Sequence, residues 1–491
     1  MRLDVAPTTR KRVVLVICCL SLFMTWLDNA IVNVALPAIG TSLHASVAGL
    51  QWTVDAYLVA LGSLLLAAGA VSDRIGRRRA FLIGLRLFLA ASLACSLAPD
   101  LGLLIVFRAL QAVGGSLLVP STLGIITNTF LDPKERAKAI GVWSATFGVA
   151  LASGPILGGL LVDAFGWRAV FLANIPVGAA AYLLARAHVP ESRAEHPRRV
   201  DGAGQLLTVV TIAAATFGII EGPSEGWTSP VTLGVFALAA VCLATFVVVE
   251  QRQPEPLLDL HFFSRASFSA AFVIATAIFF VFTGFLFVNT LLLQEVRGDS
   301  PLGAGLRTLP ATAVIAGMAL VGGHLVARRG PRLALVGGSA CLLAACLGLA
   351  ATHRDTGYLV FACCYAVLGF GTGLATPAIT NTAVSGMPRA QAGVAAAAIS
   401  VARQLGNLLG VAVLGSVLTT VFHGALPAAL AHRSISLGAF SPALSPSTLA
   451  ATGHAFDEAS RVAWLVAAAV AAFSTAVAGL LITPHRRARA D

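Results

Sequence analysis

Charge is what this chain has least of. Only 11% of its 491 residues are Asp, Glu, Lys or Arg, 57% are hydrophobic, and the mean hydropathy is +0.86. A soluble domain needs roughly a quarter to a third of its surface charged. A water-soluble globule is therefore excluded, and most of the chain belongs in lipid. Lysine is nearly absent, three residues against thirty arginines, alongside abundant alanine; a GC-rich bacterial genome produces that bias. No Gly precedes Lys11, Lys134 or Lys138. This removes the Gly-Lys-Ser/Thr of a phosphate loop, and with it an ATP-driven machine. The eight cysteines (Cys18, Cys19, Cys95, Cys242, Cys341, Cys346, Cys363 and Cys364) include no CxxC, and no His stands at metal spacing from them. They read as apolar filler, and no metal is expected. No HExxH motif and no His–carboxylate set faces inward from the spans, so an enzyme is not expected.

What the chain has instead is long apolar runs. Spans of ~20 residues fall near 13–36, 50–71, 80–98, 102–127, 138–162, 169–187, 204–221, 231–249, 269–293, 306–327, 333–350, 357–385, 391–421 and 461–483. The first follows Arg10, Lys11 and Arg12, and is long enough to span rather than serve as a cleaved leader. The net charge of +11 sits in short loops, which suits membrane orientation and leaves no basic surface for nucleic acid. Twenty-four Lys and Arg residues fall on the side where the chain begins, and four (Arg168, Arg297, Arg354 and Arg433) on the other. Positive-inside bias thus predicts fourteen helices with both termini cytoplasmic. One long external loop is expected near 422–460.

The chain repeats itself at an offset near 255. Trp26-Leu27-Asp28 to Asn33 aligns with Phe282-Thr283-Gly284 to Asn289. Gly69, Asp73, Gly76 and Arg78 align with Gly323, Ala327, Gly330 and Arg332. Arg108 aligns with Tyr365, and Gly154 and Gly158 with Gly406 and Gly410. The fold class this predicts is an all-α integral membrane protein of two six-helix halves, 1–190 and 266–491, around a central segment 191–265 that inserts helices 7 and 8. Parallel halves around a midplane site are the architecture of alternating-access transporters.

The ionisable residues sit in the first half. A carboxylate within a span, as at Asp28, costs ~2.5 kcal/mol or more on insertion scales. Helical rise puts Asp28 ~12 Å, Asp55 ~8 Å and Arg108 ~9 Å from the outer ends of their helices. One shared cavity and a proton-exchanging role are expected of the three. Asp55 is the weaker candidate, since it can also reach external water. In the basic turn, Gly69, Asp73, Arg74, Gly76, Arg77 and Arg78 combine glycines for a tight turn with a carboxylate that can pair with Arg or accept backbone N–H groups. On helix 5, Gly148, Gly154, Pro155, Gly158 and Gly159 permit close packing and a bend. Asn33, Gln111, Phe282 and Asn289 are candidates to line a substrate cavity. Helix 9, with Phe279, Phe280, Phe282, Phe285 and Phe287, is either an aromatic wall or a lipid face.

The Gly69–Arg78 turn resembles the signature loop of the major facilitator superfamily, and the 148–159 run resembles its antiporter motif. Leu27-Asp28 through Asn33-Val34-Ala35-Leu36-Pro37 is similar to the helix 1 motif of the fourteen-helix drug:proton antiporter family. Arg108 through Gly114 is similar to its helix 4 motif, except that Ala112 replaces the usual Gly; Trp167-Arg168 through Asn174-x-Pro176-x-Gly178 also fits. The resemblance covers nearly the whole chain. It implies a major facilitator fold and proton-driven efflux of antibiotics or related amphiphiles across the bacterial cytoplasmic membrane, without a cofactor. It further implies protonation or cation binding at Asp28 assisted by Arg108, and a cytoplasmic latch around Asp73. The expected partners are a small-molecule substrate, protons and membrane lipid, with the chain acting as a monomer. The alternative is a proton-coupled uptake symporter, or a specific-metabolite exporter, of the same fold.

Overall fold

The computed structural model describes residues 7–194, 201–253, 258–385, 387, 392–427 and 446–482. Among them, fourteen helices are long and apolar enough to cross a membrane: α1 (Arg10–Leu43), α2 (Val47–Ile75), α3 (Arg77–Ser96), α4 (Leu101–Thr129), α5 (Pro133–Phe165), α6 (Arg168–His188), α7 (Gly202–Glu225), α8 (Pro230–Arg252), α9 (Ala266–Val296), α10 (Pro301–Arg329), α11 (Pro331–Ala350), α12 (Tyr358–Val384), α13 (Val394–Ala425) and α14 (Thr448–Leu481). Lipid offers backbone groups no water, so each span must satisfy its own N–H and C=O groups. Ser or Asp caps mark many starts: Ser46 accepts from the Gly49 N–H, Asp100 from Leu103, and Asp132 and Ser300 cap ahead of prolines 133 and 301. Gly76 and Gly330, repeat mates, both turn the chain at positive φ (106° and 77°).

Hydropathy alone shortens most helices, because their ends run past the lipid-compatible core. The largest correction is to the expected loop 422–460. Helix α13 continues to Ala425 and α14 begins by Thr448, so the loop's C-terminal third is helical; residues 428–445 lie outside the described part. Alanine-rich sequence favours that extension, and Asp457 anchors it by accepting the Arg354 N–H (2.8 Å).

Helices α1–α6 pack with one another, and α9–α14 form a second bundle. Repeat-related contacts hold each bundle: Gly154 and Gly158 bring α5 onto Ala30 and Ile31 of α1, and Gly406 and Gly410 bring α13 onto the Thr276 and Phe280 carbonyls of α9. Helix α9 is not a lipid face. Phe279, Phe280, Phe282, Phe285 and Phe287 are all buried, and the helix ends in a π turn, Leu292–Val296. Helix α8 is mostly exposed, whereas α7 lies against both α2 and α13. Glu221 of α7 accepts from Trp52 Nε1 (2.8 Å), and the Ile219 carbonyl accepts from Ser416 (2.6 Å).

The bundles meet on the side away from the basic loops. Gly305 packs on the Pro155 carbonyl, Gly159 leaves 2.5 Å between a would-be Cβ and Leu302 Cα, and Asp163 accepts the Leu302 N–H (3.0 Å). Gln51 of α2 donates to the Val411 and Ala412 carbonyls of α13 (3.0 and 2.8 Å), and Gln294 to that of Val34 (2.9 Å). Toward the basic loops these contacts end. Gly148 only reaches Ala316 at 4.0 Å, and Gly141, Gly317 and Gly323 face open space. Among the described residues, the close contacts between the bundles lie on the side away from the basic loops.

Gly159→Leu is expected to force α5 and α10 apart on that side. Spin labels at Phe165 and Leu306 should then report a longer and broader distance distribution; an unchanged distribution would show that this crossing does not hold the closure.

Candidate functional site

Five helices converge on one carboxylate. Asp28 is fully buried on α1, and Arg108 of α4 donates from Nη1 to its Oδ2 (2.6 Å). One turn along α4, Gln111 Nε2 donates to Oδ1 (2.9 Å), and Asn174 Nδ2 of α6 donates to the same oxygen (2.6 Å). Ser92 of α3 accepts from both amides (2.7 and 3.0 Å). Arg108 is held in turn. Its Nε donates to the Thr53 carbonyl of α2 (3.1 Å), Nη1 also donates to Gln111 Oε1 (2.7 Å), and the guanidinium lies 4.3 Å from the centre of the Tyr57 ring. Every partner of Asp28 is a donor, which is the complement an ionised carboxylate requires.

Asp55 does not join them. Both its oxygens are buried without a protein partner. Two residues turn a helix by about 200°, so aiming the Thr53 carbonyl at Arg108 turns Asp55 away. It lies one turn after Gln51 and two before Gly62, on the face that packs against α13. The single cavity expected for Asp28, Asp55 and Arg108 is thus an Asp28–Arg108 pair with Asp55 at the contact between halves.

Beside this network, a narrow cavity runs between the halves, with Asp28 behind it on another face of α1. It consists of two small adjoining parts that share Ala30, Leu151 and Leu286; Asn33 lines one, and Trp26, Phe147, Phe282 and Asn407 line the other. Of the four residues expected at a substrate cavity, Asn33 and Phe282 line this one, whereas Gln111 and Asn289 do not. Gln111 belongs to the Asp28 network. Asn289 donates to Thr308 (3.1 Å) and accepts from Tyr365, the repeat mate of Arg108. The second half thus fills the ion-pair position with a neutral tyrosine–amide contact.

In the basic turn, Asp73 pairs with Arg77 (3.0 Å), Arg77 packs on Gly124, and Gly69 lies against Pro120. The N–H groups at the start of α3 are taken by Glu191, which accepts from Arg78 and Arg79 (3.1 and 3.2 Å). Nothing in the spacing pointed to Glu191, since it arrives from the far end of α6. Ser92 likewise carried no signal, whereas Asn174 lay in a quoted motif without a role. One GxSxG string, Gly222–Gly226, closes α7; Ser224 spends its hydroxyl on Glu221 there (2.9 and 3.1 Å), away from any strand-to-helix turn.

A family model, the Major Facilitator Superfamily, matches residues 18–411. The chain belongs to the major facilitator superfamily. Among its relatives, Multidrug resistance protein Stp of Mycobacterium tuberculosis is 39% identical over 81% of this chain and 74% of that one. The tetracenomycin C resistance and export protein of Streptomyces glaucescens is 36% identical over 92% and 89%. A bacterial homologue of the human lysosomal transporter Spinster, solved inward-facing, shares the fold at a TM-score of 0.67 and 18% identity, covering 96% of this chain and 98% of that one. As a major facilitator protein, the chain is a multi-pass transporter and not an enzyme.

Removing one partner of a buried ion pair costs about 3–5 kcal/mol, because the other charge is left unpaired. Arg108→Gln should therefore lower the melting temperature of the purified protein, and Asp28→Asn combined with it should recover much of the loss. A double variant that melts no higher than Arg108→Gln would contradict a coupled pair.

Proposed function

We propose that the chain is a proton-coupled exporter of small amphipathic or hydrophobic compounds, antibiotics among them, across a bacterial cytoplasmic membrane. The observation that carries this reading is a buried ion pair, Asp28–Arg108, set behind an aromatic-lined cavity between two repeat-related halves. The relatives named for multidrug resistance and for tetracenomycin C export support the direction and substrate type. The basic side is the cytoplasmic one by the positive-inside rule, so the open cavity faces the cytoplasm and both termini lie there.

The cycle follows from the donor set around Asp28. In the inward-open form the carboxylate is ionised and held by Arg108, Gln111 and Asn174, having released its proton to the cytoplasm. A compound enters the cavity from the same side. The halves then rock about the glycine crossings of α5 with α10 and of α2 with α13, and Asp28 becomes reachable from outside. Protonation there neutralises it, frees Arg108 and favours return after the substrate leaves; one carboxylate exposed alternately couples both fluxes. Asp73 and its arginines close the cytoplasmic side in the outward-open form, and the Asp73–Arg77 pair is the released state of that latch.

Asp28→Asn keeps the size and cannot change charge. Proteoliposomes carrying it should lose efflux of a fluorescent amphiphile against its gradient under an imposed pH difference, while inserted protein is normal. Uphill efflux at the wild-type rate would remove Asp28 from the coupling role. Asp73→Asn should slow transport severalfold without reducing membrane expression, and wild-type rates would refute the latch.

A further inference from the structure

We propose that Arg403 binds the charged end of the substrate at the cytoplasmic mouth of the cavity, and that this protein prefers aromatic acids, flat apolar bodies bearing one carboxylate, phenolate or sulfonate. The proposal rests on the export reading above and names the substrate class for the same cavity.

Arg403 lies on α13 one turn before Asn407, which lines the cavity. Its guanidinium stands 5.6 Å from the ring centre of Phe279, another lining residue. Nη2 donates to Thr380 of α12 (2.6 Å), while Nε is buried with no partner. Among the described residues, no carboxylate pairs with it. The repeat gives independent support for where this position faces. Arg403 precedes Gly406 by three residues as Leu151 precedes Gly154, and Leu151 lines the cavity. The scaffold is satisfied by an apolar residue at this place in the first half. A cation there, within a span and without a counter-ion, is costly unless it serves a function.

The remaining charges around the cavity narrow the ligand. No Asp or Glu is among its described lining residues. Asp28 is turned away and is already bonded to Arg108, Gln111 and Asn174. A cationic drug entering from the open side meets aromatic faces but also Arg403, with no acid to offset the repulsion. An anionic one meets a guanidinium edge for its oxygens, by a charge-assisted bond, and Trp26, Phe147, Phe279 and Phe282 for its rings. Only the charged end distinguishes the two, so specificity resides at Arg403.

The test is a direct titration that requires no transport. Full-length protein in phosphatidylcholine nanodiscs is titrated with 9-anthracenecarboxylate and with its neutral amide, read by quenching of tryptophan fluorescence, since Trp26 lines the cavity. The carboxylate is expected to bind roughly tenfold more tightly, or better, as a charge-assisted contact implies. Arg403→Gln should erase the difference and Arg403→Lys should keep most of it. Equal affinities in the wild-type protein, or a preference that survives in Arg403→Gln, would overturn the proposal. A preference that vanishes when phosphatidylglycerol is added to the discs would also overturn it, assigning Arg403 to a lipid headgroup. Failure of the export reading would show separately, as absence of pH-driven substrate movement by wild-type proteoliposomes.

Discussion

A carboxylate and a guanidinium buried together in lipid persist when the surrounding helices supply most of their remaining hydrogen bonds. Asp28 and Arg108 draw bonds from Gln111, Asn174 and the Thr53 carbonyl, with Ser92 bracing the two amides, and so tie α1, α2, α3, α4 and α6 to one point; of the pair's polar atoms, Arg108 Nη2 has no protein partner. Helix α5 stays out of this network and joins α1 through Gly154 and Gly158 instead. A third glycine of that run, Gly159, meets α10 of the opposite half. The first bundle is therefore cross-linked where the charge is buried and closely packed through glycine where α5 meets its partner. That division is what a rocking movement between two rigid bodies needs.

The second bundle repeats the scaffold and omits the charge. Gly284 stands where the first half has Asp28, and its close approach to Gly410 and Leu414 leaves no room for a carboxylate. Tyr365 replaces Arg108 and bonds Asn289. Gly330 preserves the turn that Gly76 makes, but Ala327 stands in place of Asp73. At the repeat position of Leu151 the asymmetry is reversed, where the second half carries Arg403 beside Phe279. On the two proposals above, proton chemistry and substrate charge fall to opposite halves, and a substrate anion and the coupling carboxylate each have their own arginine.

Much of this was legible from composition and spacing. Fourteen apolar runs, the sided arginines and the repeat define the architecture, because lipid penalises charge and unsatisfied backbone so strongly that hydropathy tracks the spans. What spacing could not supply was direction around each helix. Asp28, Asp55 and Arg108 share a depth, yet a turn of about 200° between residues 53 and 55 sends Asp55 to the α13 contact. Gln111 and Asn289, expected at the cavity, are instead consumed by neighbours. Glu191 was invisible, since its partners Arg78 and Arg79 lie more than a hundred residues away in the chain. The helix before residue 461 is open to either reading in the sequence, because its alanines favour a helix while its polar residues lower hydropathy.

If Asp28 carries the coupled proton, its protonation must change with the side to which the cavity opens. The most direct measurement is the infrared carboxylic-acid C=O stretch of Asp28, identified by its loss in Asp28→Asn. It would be recorded in a cysteine-free background with the halves crosslinked either at the outer or at the cytoplasmic ends of α5 and α10. The donor set around Asp28 predicts no acid band in the inward-open form and a clear one in the outward-open form at the same pH. An acid band in the inward-open form, or the same spectrum in both, would contradict alternating protonation at Asp28.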